Sequence, residues 1–155
     1  MHTQISQDVI GSPSSPVTLT AAFADNIGDT MLALYFRRVS LDVQYTPAVT
    51  GSYLQLILEY SNDDKMSASP TFYPFATVVP ATTQVDVYAQ GGTQMSTASG
   101  TPIDIPTAAT STAAQVVTTH IAPDTELLAT WIRVRAKEIT TGAFGTAFVR
   151  MTLQG

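Results

Sequence analysis

Cysteine is absent from the 155 residues, so neither a disulfide framework nor a thiolate metal site can be built. Histidine occurs twice, at His2 and His120, and neither stands in a G-x-S-x-G or H-E-x-x-H setting. Thr and Ser supply many hydroxyls, but a nucleophile needs an adjacent base and a third group to orient that base. No such set is indicated, and an enzyme is not expected. Long apolar runs are also missing. MLALYF (Met31 to Phe36) is among the longest, well short of the roughly 18 residues of a membrane helix. MHTQISQDVI has neither a basic n-region nor an apolar core, so no signal peptide is expected there.

Charge is scarce. Asp, Glu, Lys and Arg make up 12% of the chain, against about 25% in a typical soluble domain, and Thr and Ser fill the vacated positions. Surfaces that partners bury are depleted of charge, while Thr also suits strands for its own reasons. Permanent assembly and plain strand chemistry both fit this composition. A formal net charge of −5 argues against a general affinity for nucleic acid. The length suits one domain, which at this size buries about 68–70% of its unfolded surface.

What the chain does have is alternation of period two. In YLQLILEY, Leu54, Leu56, Leu58 and Tyr60 share one face, and Gln55 and Glu59 share the other. WIRVRAKEI sets Ile132, Val134 and Ala136 against Arg133, Arg135 and Lys137. FGTAFVRMTL sets Ala147, Val149, Met151 and Leu153 against Thr146, Arg150 and Thr152. The Gly-containing link ITTGAFG predicts that these last two strands form a hairpin. Further strands are expected over 17–23, 34–45, 71–79, 84–88 and 114–121. LYFRRVSLDVQY changes parity, with Leu34 and Phe36 on one alternation and Val39, Leu41, Val43 and Tyr45 on the other. A bulge or bend near Arg37 and Arg38 reconciles them. No segment has helical spacing. Short strands between Pro, Gly, Ser and Thr turns predict an all-β, antiparallel β-sandwich or jelly roll.

Two segments stand outside that pattern. Residues 1–16 are polar and proline-punctuated, anchored by Ile5, Val9 and Ile10, and are expected as an N-terminal arm preceding a single sandwich domain over 17–155. Residues 89–113 form a long low-complexity loop whose apolar residues include Ile103 and Ile105. Both are expected to lie against a surface, a neighbouring subunit's in preference to the chain's own, because so few apolar residues pack weakly on themselves.

Asn62, Asp63 and Asp64 end a strand and precede Ser67, Ser69 and Pro70, which is the composition of a turn whose side chains bond nearby backbone. A calcium loop needs wider spacing and a downstream acid. Neighbouring carboxylates at a strand end point to opposite sides, which disfavours a catalytic pair. The stripe Arg133, Arg135 and Lys137, with Arg150 expected on the next strand, has two readings: bidentate contact with a partner's carboxylates, or a solvated face paired with Glu59, Glu138 or Asp42. Trp131, Tyr53, Phe72, Tyr73 and Phe75 are read either as a sugar-stacking platform or, more commonly for strand aromatics, as packing.

LEYSND followed by FYPF, then WIRVRAKE and GAFGTAFVRMTLQG, resembles structural proteins of tailed bacteriophages over about half the chain. The resemblance implies a virion component on a jelly roll, first of all a capsid decoration or cement protein. Such a protein would be a homotrimer on the outer capsid surface, made in the host cytoplasm, and would stabilise the head by linking major capsid subunits. The partner-binding residues would be Ile5, Val9, Ile10, Ile103 and Ile105 with the basic stripe. The alternative is a tail or fibre module that binds carbohydrate or a host surface. No cofactor, metal, nucleic acid, membrane or small-molecule substrate is expected.

Overall fold

The computed structural model describes residues 3–24, 28–74, 87–89, 94–96, 103–105, 111–123 and 127–155. These are all-β, without a helix among the described residues, and form a β-sandwich of two antiparallel sheets. The strands are β1 (Gln4–Ile10), β2 (Val17–Thr18), β3 (Thr30–Leu32), β4 (Arg38–Thr46), β5 (Tyr53–Ser61), β6 (Tyr73–Pro74), β7 (Val87–Ala89), β8 (Gln94–Ser96), β9 (Ile103–Ile105), β10 (Val117–Pro123), β11 (Trp131–Ile139) and β12 (Thr146–Gln154). One sheet runs β1-β12-β4-β10-β7-β8, with β2 also on β12. The other runs β3-β11-β5-β6, with β9 also on β5.

The alternation read in β5, β11 and β12 becomes the core. Leu54, Leu56, Leu58, Ile132, Val134 and Ala136 face Val39, Leu41, Val43, Tyr45, Val149, Met151 and Leu153, all of them buried. The parity change at 34–38 is a change of sheet: the chain leaves β3, turns with Phe36 N–H on Ala33 O at 2.9 Å, and enters β4 in the opposite layer. The strand expected over 34–45 therefore begins at Arg38. Those expected over 17–23 and 114–121 are seen as Val17–Thr18 and Val117–Pro123. Of 71–79 and 84–88, residues 75–79 and 84–86 lie outside the described residues.

Two expectations are corrected. Residues 4–10 do not form a separate arm: β1 pairs with β12 from Gln4↔Gln154 to Ile10↔Val149, inside the same sandwich. The segment is polar because it lies at a sheet edge, where only its far end, Val9 and Ile10, is covered. Nor do β11 and β12 form a hairpin. β11 pairs with β5 and β3, and β12 with β4 and β1, in opposite sheets.

The reason lies in Glu138, which points inward from the end of β11. Its buried carboxylate accepts the Tyr45 hydroxyl at 2.5 Å and the Gly145 N–H at 2.6 Å, drawing the connection across the sandwich. Residues 17–20 strap the arch from the side: Thr18 pairs with Thr146 on β12, while Thr20 O accepts the Glu138 N–H of β11 at 2.9 Å. A Cβ built at Gly145 would overlap the Thr46 carbonyl oxygen and lie 2.9 Å from Pro47 Cα, so the close approach requires glycine. Gly145→Ala is expected to destabilise by about 1–3 kcal/mol, as overpacking does. Urea unfolding reads the loss, and an unchanged midpoint would mean that the arch is not this tight.

Candidate functional site

On the outer face of the five-stranded sheet, cross-strand register sets Arg133 directly opposite Glu59 and Arg135 one pair further along. The Glu59 carboxylate is buried. It accepts Arg133 Nε at 2.6 Å, Arg135 Nε at 2.8 Å and Arg135 Nη2 at 2.5 Å. The Arg133 guanidinium stacks 4.1 Å above the Phe72 ring, and Lys137 Nζ lies 4.8 Å from the Phe23 ring centroid. Of the partners named for the stripe in advance, Glu59 is the one used. Glu138 is inside the sandwich, and Asp42 belongs to the other sheet.

Arg150 is not beside this stripe, because its strand is in the opposite sheet. Register there aligns Asp8, Arg150, Asp42 and His120 across β1, β12, β4 and β10. Arg150 Nε donates to Asp8 Oδ1 at 2.7 Å, and His120 Nδ1 lies 2.6 Å from Asp42 Oδ1. The Asp8 carboxylate, and less strongly Asp42, raises the Arg150 pKa. The result is a solvated row in which Arg150 stands between Asp8 and Asp42, with His120 at its end as a strand residue.

The apolar residues expected to meet a partner are divided. Val9, Ile10 and Ile105 are buried in this chain's own core, with Ile105 on β9 opposite Leu54. Ile5 is 40% exposed. The backbone of Ile103 pairs with Leu56, while its side chain, like most of the expected loop 89–113, lies outside the described residues. Asn62, Asp63 and Asp64 form the expected turn. Asp64 Oδ1 accepts the Met66 N–H at 2.8 Å, Asp63 Oδ2 accepts the Thr71 N–H at 2.6 Å, and Asn62 Oδ1 accepts the Thr130 N–H at 3.3 Å. The described aromatics make separate contacts. Phe72 lies under Arg133, the Tyr73 ring is 6.1 Å from Tyr60, and Trp131 Nε1 reaches Asp64 O at 3.4 Å. Phe75 lies outside the described residues.

One surface was missed in the sequence. At the end of the sandwich where the chain passes from β3 to β4, residues 33–37 run beside 127–130, tied by Ala33 N–H to Thr130 O at 2.7 Å and Leu127 N–H to Arg37 O at 2.5 Å. Between them opens a groove of about 480 Å³, with Leu34, Tyr35, Phe36, Leu127 and Leu128 on its apolar part and Arg37, Asn62 and Thr130 on its polar part. Tyr35 is 79% exposed and Leu128 67%. The only sequence signal for it was the off-parity pair Leu34 and Phe36, which a turn between sheets leaves without a core to enter.

These surfaces belong to an all-β sandwich with polar and ion-paired outer faces and, at one end, a groove lined by both apolar and polar side chains. Among the described residues, no group of three or more His, Asp or Glu side chains could hold a metal ion, and no helix is long and apolar enough to cross a membrane. No family model and no curated protein matches the chain. Among solved structures, it is similar to the VP2 subviral particle of infectious bursal disease virus at 10% identity over 99% of its own length, with a TM-score of 0.23. The chain spans 38% of the length of that VP2, and so loose a superposition carries no argument about its partners.

Proposed function

We propose that the protein is a non-enzymatic virion component, a bacteriophage capsid decoration protein that stabilises the head by binding the major capsid protein and copies of itself across subunit junctions. One observation carries the reading: a charge-poor sandwich leaves a groove of mixed lining open at one end, on which two large apolar side chains, Tyr35 and Leu128, stand largely in water. Exposed apolar patches on soluble proteins mark contact surfaces, and covering this one is worth roughly 25 cal/mol for each Å² removed from water. The choice of a phage head rests on the resemblance of LEYSND, FYPF, WIRVRAKE and the final strand to virion proteins. The same resemblance suggests a homotrimer on the outer capsid surface, made in the host cytoplasm.

The test is co-sedimentation of the purified chain with heads assembled from the major capsid protein of the same genome. Wild type is expected in the pellet. The double variant Tyr35→Asp with Leu128→Asp is expected to bind at least about 30-fold more weakly, the loss of one hot-spot contact. Its thermal unfolding should stay close to wild type, because both side chains are exposed. No pelleting of wild type, together with retention on an oligosaccharide array, would replace this reading with the tail or fibre module.

A further inference from the structure

Strand β1 is the outermost strand of the seven-stranded sheet beside β12. The Gly155 N–H donates to Thr3 O at 2.9 Å, which sets the phase of the ladder. In an antiparallel pair the bonds recur at every second residue. Thr3, Ile5 and Gln7 therefore turn their backbone groups toward β12, and Gln4, Ser6 and Asp8 turn theirs away from it. The far end of this edge is closed: at the bulge between Asp8 and Ile10, the Asp29 N–H donates to Val9 O at 2.7 Å. Below that point, among the described residues, the outward N–H and C=O groups of Gln4, Ser6 and Asp8 take no partner. Protected edges carry charge, Pro or a bulge; here the bulge and the charged Asp8 sit at the far end, and Gln4 to Gln7 has neither charge nor Pro.

We infer that this edge pairs with the same edge of a second copy of the chain, antiparallel about a twofold axis through Ser6. The pattern complements itself. With Ser6 opposite the partner's Ser6, every outward N–H and C=O of Gln4, Ser6 and Asp8 meets its complement, whereas a shift of two residues in either direction leaves one residue of each copy unpaired. That register also sets Gln4 opposite the partner's Asp8, an amide donor against a carboxylate, so no like charges face each other. Asp8 is already held by Arg150 at 2.7 Å, and the Ser6 hydroxyl by Thr152 Oγ1 at 2.8 Å, so the outer face is ordered before pairing. On the core-side face, Ile5 stands opposite the buried Leu153 yet is 40% exposed, because the sandwich ends there. Across the axis it lies diagonal to the partner's Ile5, at the roughly 7–8 Å over which long side chains still touch. The two seven-stranded sheets become one continuous sheet. The contact is independent of the virion reading: it forms a dimer of single chains, or joins two larger assemblies edge to edge.

Light scattering behind a sizing column, over a wide range of concentration, tests it on the full chain as wild type, Ser6→Lys, Ser6→Asp and an equimolar mixture of the two variants. Wild type is expected to double its mass with concentration. Each variant alone should need at least about tenfold more protein for the same doubling, and the mixture should return toward wild type, since opposite charges then meet at the axis. Thermal unfolding of each variant checks that the fold is intact. Independently of any variant, amide exchange at Gln4, Ser6 and Asp8 should slow in wild type as the mass doubles. A constant mass in wild type, a doubling that neither variant disturbs, or amides at these positions that exchange freely in the doubled species would each overturn the inference.

Discussion

Replacing Glu59 with Ala is expected to destabilise the protein by about 3 kcal/mol, the low end for breaking a buried ion pair. The Glu59 carboxylate is buried between two guanidinium groups, which keep 20% and 22% of their side-chain surface in water. Without the carboxylate, two like charges two residues apart on β11 lose the group that compensates both. Their remaining hydration is why the low end applies. For a chain of this size, a kcal/mol corresponds to about 2–4 °C, so Tm should fall by roughly 6–12 °C, read by circular dichroism. The triple change Glu59→Leu, Arg133→Met and Arg135→Met should recover much of the loss, because apolar side chains can replace a buried charged set. If the single change lowers Tm by less than about 2 °C, Glu59 is not the anchor of this face.

The second large effect is expected at Glu138. Glu138→Leu strands two donors, the Tyr45 hydroxyl and the Gly145 N–H, at a cost of about 1–3 kcal/mol for each. A pH arm isolates the tyrosine. Burial first, then the hydrogen bond to Glu138 and its charge, raise the Tyr45 pKa above its ordinary value of 10.0. A folded pKa above the unfolded one means that this stability is fully present below the unfolded pKa and is lost as pH rises beyond it. Above about pH 10 the protein should lose up to about 1.4 kcal/mol per pH unit through this group. In Tyr45→Phe that contribution disappears. Urea unfolding between pH 9 and 11 distinguishes the two, and parallel slopes in both proteins would remove Tyr45 from the account.

The strands were legible wherever both neighbours and one covered face enforced alternation. β5, β11 and the buried face of β12 could be read residue by residue, and the turn at Asn62 to Asp64 was legible because its chemistry is local. Which sheet a strand joins was not legible. ITTGAFG has the composition of a hairpin link, and only the inward Glu138, bonded to a tyrosine 93 positions away, turns it into an arch. Strand β1 was hidden for the opposite reason: as an edge strand, it shows polar residues on both faces and buries only Val9 and Ile10 at one end. Of the basic stripe, local alternation placed Arg133, Arg135 and Lys137 on one face, but Arg150 was assigned through the hairpin and moved when the hairpin did. The groove at Tyr35 and Leu128 needs two segments about ninety positions apart, which no local pattern brings together.

The pairing of β1 with β12 also governs when the molecule can be finished on a ribosome. Gln4 to Ile10 is synthesised well before its ladder partner, Val149 to Gln154, and β4 likewise waits for β12. Contacts so distant in sequence close slowly, because the loop entropy is spent before any contact compensates it. Over the stretch of translation between them, the nascent chain therefore carries β1 without its ladder partner, and β4 without one of the two strands that flank it in the finished sheet. Such unpaired edges are what aggregate or recruit chaperones in a crowded cell. A scarcity of long apolar runs, which looks like a weakness in a finished domain, leaves those waiting strands less apolar surface to aggregate through until β12 arrives.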